Sequence, residues 1–426
     1  MHGRGTSRRD RPKRNEQMMK KTVLATALLL TIAACGTSAD EPEGEETTTP
    51  DSETSHVVTD EEYERATDAS LESSIDVLRA QDADNGLISP ASLSYALAMA
   101  GEGAQCETLT EINEFLGVED GSRSTIYPGL LRPANKSGEE YVTGFSAAVA
   151  HNTGVPDTRL DVLENVAESY DADLFSDSLT NLQPALDSWV EESTGGLQTQ
   201  LPVPLPENTA TGFITAMHYE TEWQGDATKT TFEFTSSDGQ VEDVRGVYLP
   251  GNVTAREADR GTILELPTDS PDTTYVFYPD EVIDPADLTA DDWDLEDAGE
   301  PTDVHLRIPA VDFDSQTDVL KYKDDIGLPN IDAKEEGCGL AGFSKSEQHS
   351  VEIVVQKATF KLDDEGIAAS AVTEIIGEAG AAPGQEEPVI INVDRPYAVL
   401  TVSEDTDWAL MYATITDPGA ITPAMY

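Results

Sequence analysis

Apolar residues recur near helical spacing where the folded part of the chain begins: Tyr63, Ala66, Ala69, Leu71, Ile75 and Leu78 mark a predicted helix. An Asn85-Gly86 turn follows, and Leu87-Ile88-Ser89-Pro90-Ala91-Ser92 leads into an Ala/Leu helix through Met99. CETLTEINEFLG, from Cys106 to Gly117, predicts another helix. Ser188-Trp189-Val190-Glu191 runs toward Thr194-Gly195-Gly196, where a glycine gives a helix stop. The period then changes. GFITAMHYETEW (212–223) reads as a strand, and Phe232 to Val247 alternates around Ser236-Ser237-Asp238-Gly239, a hairpin signal. ILELP (263–267), YVFYP (275–279) and LRIPAVDF (306–313) predict further short strands. The chain shows no internal repeat and no second domain boundary after residue 60.

One stretch departs from this regular alternation. Asp363 to Pro383, DDEGIAASAVTEIIGEAGAAP, joins two unlike pieces. From Gly366 to Glu374 the residues are small or β-branched, with no aromatic and no proline. Such a segment enters a sheet without steric objection. As a strand it places Ile367, Ala369, Ala371, Thr373 and Ile375 on one face, and Ala368, Ser370, Val372 and Glu374 on the other. The first face is apolar apart from one hydroxyl, as a buried face should be. Gly377, Gly380, Pro383 and Gly384 among alanines, then Glu386 and Glu387, predict a long, exposed, protease-accessible loop. Taken alone, the segment reads equally well as an Ala/Gly-rich linker.

The N-terminal region has another character. Residues 1–21 are basic, and Thr22–Ala34 is an apolar run of signal-peptide length, too short to span a bilayer comfortably. Ile32-Ala33-Ala34-Cys35 closes the run. Small residues before a Cys at this place resemble the bacterial lipobox, which implies cleavage before Cys35 and a lipid on that residue. Ordinary secretion with a chance Cys is the alternative. Gly36 to about Val58 is Thr, Ser, Pro, Asp and Glu with almost nothing to bury, which predicts a disordered acidic tether. The expected organisation is a signal peptide over 1–35, a tether over 36–58 and one domain over 59–426, held at the outer face of a bacterial membrane.

Charge narrows the partners. The 426 residues carry 26 basic and 82 acidic side chains, a net charge of −56, so nucleic acid would be repelled. The same charge suits simple solubility and a high-salt habitat equally. Beyond Cys35 the only cysteines are Cys106 and Cys338. Outside the cytoplasm they could pair; their spacing leaves two free, buried thiols equally open.

No enzyme chemistry assembles from the remaining residues. His151, His218, His305 and His349 have no i, i+4 partner and no HExxH pattern, and no CxxC pair exists. Gly101-Glu102-Gly103-Ala104-Gln105-Cys106 lacks the third glycine of a dinucleotide loop. No GxSxG elbow occurs. Neither metal nor cofactor is expected.

Asp364-Glu365-Gly366 followed by small residues resembles the proximal hinge of serpins, protease inhibitors that trap by loop insertion. VVQKATFKLDDEG resembles the strand leading into that hinge, and DRPYAVLTV and WALMYATITDP resemble the family's two C-terminal strands. NGLISPASLSYALAMAGEGA, the WV..T.G segment and the strand ending at Trp223 extend the resemblance over roughly residues 59–418. It implies an α+β serpin fold: three β-sheets with a large central sheet, eight or nine helices and an exposed reactive-centre loop. It further implies a hinge of Asp364, Glu365, Gly366, Ile367, Ala368, Ala369, Ser370, Ala371, Val372 and Thr373. Ser89, Ser92, Thr215, Gln356 and Trp223 take the sheet-opening positions. The family's hinge-to-bond spacing, counted from Gly366, places the scissile bond between Gly380 and Ala381, with Glu378, Ala379, Ala382 and Pro383 at the tip. The implied partner is a serine protease held as a covalent acyl complex by a monomeric inhibitor. The small tip residues suit shallow pockets, elastase-like or subtilisin-like. A papain-like target, or a non-inhibitory binding protein on the same scaffold, are the alternatives.

Several positions depart from the family pattern. Thr215 replaces the usual Asn and Gln356 the usual His, a pair that could still exchange a hydrogen bond. Ile367 takes a position usually held by Thr or Ser. Ala310 stands where many members carry a Lys, which would leave Asp364 unpaired. The loop before Arg395-Pro396 is longer than typical.

Overall fold

The computed structural model describes residues 58–81, 83, 85–119, 121–295, 298–346, 349–351, 354–368 and 389–419. Six α-helices occur among them: α1 (Asp60–Gln81), α2 (Pro90–Gly101), α3 (Cys106–Phe115), α4 (Arg123–Ala134), α5 (Leu160–Ser169) and α6 (Leu179–Ser193). The strands in chain order are β1 (Asn85–Ile88), β2 (Lys136–Ser137), β3 (Tyr141–Asn152), β4 (Asp173–Asp177), β5 (Thr211–Glu222) and β6 (Thr228–Thr235). Next come β7 (Val241–Ala258), β8 (Gly261–Glu265), β9 (Thr273–Pro279), β10 (Thr302–Pro309) and β11 (Val311–Asp318). The last are β12 (Val355–Leu362), β13 (Gly366–Ala368), β14 (Ile390–Asn392), β15 (Tyr397–Val402) and β16 (Ala409–Ile415).

These strands form two sheets rather than the expected three. A nine-stranded sheet runs β1-β16-β15-β9-β8-β7-β10-β14, with β6 also on β7. The merger has a local cause: β7 is 18 residues long. It pairs with β6 and β10 along one part and with β8 from Thr254 to Ala258, so one strand joins what would otherwise be two ladders. Among the described residues the helix count is also lower than expected. Between β11 and β12 the described chain makes only 3-10 turns, Val319–Tyr322 and Ala341–Phe343.

The second sheet has seven strands, in the order β11-β12-β13-β5-β3-β2, with β4 parallel to β3. Helix α2 lies between the sheets, packed against β5 and β16. It is apolar or small-sided all round, and every residue except Ala96 is buried. Ser89 caps it, its hydroxyl accepting from Ser92 N at 3.2 Å, and Pro90 starts the first turn. Tyr95 on this helix meets Tyr127, Phe145, Tyr170 and Trp408 in an aromatic cluster that fixes α2 beneath the second sheet.

Candidate functional site

The second sheet contains a slot. Strand β5 pairs with β3 from Thr211 to Thr221, and β12 pairs with β11 along all eight residues. Among the described residues only β13 stands between them. It is antiparallel to both: Ile367 lies opposite Thr221 on β5 and Leu362 on β12. Below Ala368 the facing edges of β5 and β12 have no strand partner among the described residues. They run parallel to each other, so the gap is shaped for one antiparallel strand. Unpaired strand edges are templates for strand addition, because their N–H and C=O groups want partners. A cavity of about 690 Å³ occupies the gap, with Met217 and Gln356 on its walls and Ser92 and Ala96 of α2 on its floor.

The slot's mouth is built by the Asp363–Gly366 turn. Glu365 N donates to Asp363 Oδ1 at 2.9 Å and Asp363 N to Gly366 O at 3.1 Å. Gly366 has φ +154°, and a Cβ there would stand 2.0 Å from Thr221 O. Only glycine lets the hinge pass so close to β5. Trp223, 6% exposed, donates from Nε1 to Asp363 O at 2.7 Å, which puts it where the arm enters the sheet. Lys361 Nζ lies 2.6 Å from Asp363 Oδ2. Burial works to lower its pKa, but Asp363, Glu365 and Asp312 together outweigh this and hold the ammonium above its ordinary value. Past the turn, Ile367 is fully buried within the cluster that includes Tyr219, Trp223, Phe360 and Leu362. Its bulk is accommodated at the head of the slot.

Two expectations are corrected here. Asp364 has a partner: Lys229 of β6 approaches to 3.6 Å, so a neighbouring strand supplies the cation that Ala310 cannot. Thr215 and Gln356 bond α2 rather than each other. The Gln356 carboxamide clasps one backbone unit, Oε1 accepting from Ser89 N at 2.7 Å and Nε2 donating to Ser89 O at 3.0 Å. Thr215 Oγ1 donates to Ser92 O at 2.9 Å. Because the strands stand apart, both side chains reach down to the first turn of α2. Ser89 Oγ also donates to Leu410 O of β16 at 2.7 Å, which ties the slot's floor to the other sheet.

Other contributors carry no local sequence signal. The loop after α6 is held by Leu201 N donating to Asp187 and Leu205 N donating to Gln183, at 2.9 and 2.7 Å. From it Gln198 Nε2 donates to Thr359 Oγ1 on β12 at 2.7 Å. Lys229 could have been sought by scarcity: in a chain with 26 basic residues, each lysine near a carboxylate-rich turn is a candidate partner. Cys106 and Cys338 form a disulfide, with Cα atoms 5.3 Å apart, so the open alternative of two free, buried thiols does not hold. Ala369, Ser370, Ala371, Val372 and Thr373, the tip residues Glu378, Ala379, Ala382 and Pro383, the Gly380–Ala381 bond and Cys35 lie outside the described residues.

Comparison with known proteins gives a consistent picture. A family model described as "Serpin (serine protease inhibitor)" matches residues 67–418. The leukocyte elastase inhibitor of Bos taurus is 24% identical over 346 residues, spanning 74% of this chain and 88% of that protein. The native structure of tengpin, a thermophilic serpin, superposes with a TM-score of 0.68 at 19% identity, covering 82% of this chain and 94% of that one. Human thyroxine-binding globulin, solved in complex with thyroxine, gives a TM-score of 0.69 at 19% identity, covering 84% of this chain and 99% of that one. At these identities the solved structures show the fold.

Proposed function

We propose that this chain, which belongs to the serpin family, is a suicide-substrate inhibitor of extracellular serine proteases. The observation that carries the reading is the slot, with its hinge already seated for three residues and both edges below it without a strand partner among the described residues. The protease's serine attacks the Gly380 carbonyl, the bond to Ala381 breaks, and the acyl-enzyme ester remains on the freed arm. The arm then enters the slot.

Continuing the observed register two residues at a time sets out the inserted strand. Ala369 stands opposite Tyr219 and Phe360, and Ala371 opposite Met217 and Ala358. Thr373 stands opposite Thr215 and Gln356, and Ile375 opposite Phe213 and Val354. The inward residues are those of the apolar face. Thr373, its one hydroxyl, arrives where the sheet's own polar side chains already face α2. Each step fills the open N–H and C=O groups of two strands, and burying Ile375 adds about 1.5–3 kcal/mol. The acylated protease is carried along the sheet before water reaches the ester.

The tip residues favour shallow-pocket proteases of the elastase-like or subtilisin-like kind, in keeping with the bovine relative's name. The reading places the protein outside a bacterial cell, attached by lipid on Cys35 through the 36–58 tether. A non-inhibitory binding role is the second reading, since thyroxine-binding globulin shares the fold. The slot favours the first, because its walls are strand edges with no strand partner among the described residues. Mixing the domain with subtilisin-like, elastase-like and papain-like proteases decides between them. An SDS-resistant complex, with a released peptide beginning at Ala381, supports the trap. Clean cleavage without complex supports the second reading.

A further inference from the structure

We propose that the Cys106–Cys338 disulfide is a redox-sensitive restraint on the foot of the slot, setting how fast an arm completes insertion. The proposal rests on the strand-insertion reading above. The foot is closed by contacts distinct from those at the mouth and floor. Thr211, the first residue of β5, has its Oγ1 2.8 Å from Nε2 of His349. His349 in turn accepts at its backbone oxygen from Leu340 N at 2.8 Å and lies beside Gly339 in a parallel bridge. Gly339 is bridged on its other side to Gln105, whose N donates to Gly339 O at 2.9 Å. Cys106 follows Gln105 and Cys338 precedes Gly339, so the disulfide is the covalent rung beside these two bridges. A continuous series of bonds thus runs from the start of α3 to the start of β5.

The clasp is built to close dimensions. Gly339 has φ +63°, and a Cβ there would lie 2.4 Å from Ala333 O and 2.8 Å from His349 O. It also stands where insertion ends. By the register given above, Gly377 comes opposite Thr211. An arm entering from the mouth therefore meets the Thr211–His349 tie at its last step. Leu340 and His349 line the same cavity as Thr215 and Gln356, so the clasp is the slot's end wall. Its disulfide is accessible, since Cys106 is exposed.

The chemistry needs only a dithiol reductant. One of its thiolates attacks a sulfur of the disulfide, the S–S bond breaks to a mixed disulfide, and its second thiol displaces the protein sulfur. Two electrons pass, leaving two protein thiols and an oxidised reductant. The backbone bonds of Gly339 then hold the end wall alone, without the restraint of a bond joining residues 232 apart in sequence. With the rung intact the foot resists parting; with it reduced, β5 separates from His349 more readily.

The test uses a fluorophore-labelled synthetic peptide of sequence 369–380, which starts after the seated hinge and runs past Gly377, with the full folded domain, and reads the rate of peptide uptake. Three forms are compared: oxidised parent, dithiothreitol-reduced parent, and oxidised Thr211→Val, which cuts the tie while leaving the disulfide in place. Thr211→Val should speed uptake by up to about tenfold, the weight of one lost hydrogen bond, and reduction should speed it in the same direction. Far-UV circular dichroism should not change. Equal rates for oxidised and reduced parent overturn the redox assignment, whatever Thr211→Val does. If the reduced protein loses its folded signal, an oxidised Thr211→Val no faster than the parent overturns it equally. Uptake by none of the forms overturns the slot reading and this proposal with it.

Discussion

Truncating Ile367 to alanine tests whether the hinge is seated before any protease arrives. In the structure its side chain is fully buried, between strands that pair with it on both sides. Removing a buried Ile side chain to Ala costs about 2–5 kcal/mol, from lost transfer energy and the cavity left behind. An exposed position of the same kind would change stability by about 0.5 kcal/mol or less. The seat itself is finely balanced. Ordering the backbone of three residues costs roughly 3–6 kcal/mol, offset by the β13 ladder and by Ile367 burial. The substitution therefore removes an amount comparable to the whole ordering cost and should unseat β13. Urea unfolding should show a loss capped by the net stability of the seat, at most about 2–5 kcal/mol, and amides of residues 220–222 and 361–362 should exchange faster with solvent. A loss under about 0.5 kcal/mol with unchanged exchange would refute the pre-seated hinge.

Three further outcomes are expected. Thr373→Arg puts an unpaired charge against Thr215 and Gln356, so the variant should be cleaved at the parent rate yet form no covalent complex, as read on a denaturing gel. Cys35→Ala should release the protein from membranes into the medium; unchanged partitioning would count against the lipid anchor. Lys361 has a raised pKa in the folded state, so its stabilising contribution is complete below the unfolded value of 10.5 and is lost as pH rises through the raised one. Hydrogen exchange in the hinge turn should therefore show no extra opening across the neutral range once corrected for intrinsic rate, and should show it only in strong alkali.

Local signals decided what could be read from the chain. Ser89-Pro90 at the head of an Ala/Leu run marks α2, because capping and a proline at the first turn are local effects. The Ile367, Ala369, Ala371, Thr373, Ile375 face is legible because side-chain alternation in a strand is strict, and Ile367 is found buried as that face requires. Other features depend on partners remote in sequence. Strand β3, with its run of alanines and Gly144, has little intrinsic preference for a strand and is made one by β5, β2 and β4 beside it. Helix α4 carries Pro128 and Pro133 inside it, which hides it from a reading that stops helices at proline. LRIPAVDF reads as one strand but divides at Ala310, β10 joining one sheet and β11 the other. The Lys229, Gln198 and His349 contacts cross 135, 161 and 138 residues, and no local pattern announces them.

The central claim is that the slot between β5 and β12 accepts the cleaved arm as a new strand. Thermal unfolding of the intact domain, beside the same domain cut within the loop, measures this directly. Insertion fills two strand edges and buries the apolar face, so the cleaved form should melt at a much higher temperature and resist urea that unfolds the intact one. Equal melting temperatures for the two forms would contradict the account.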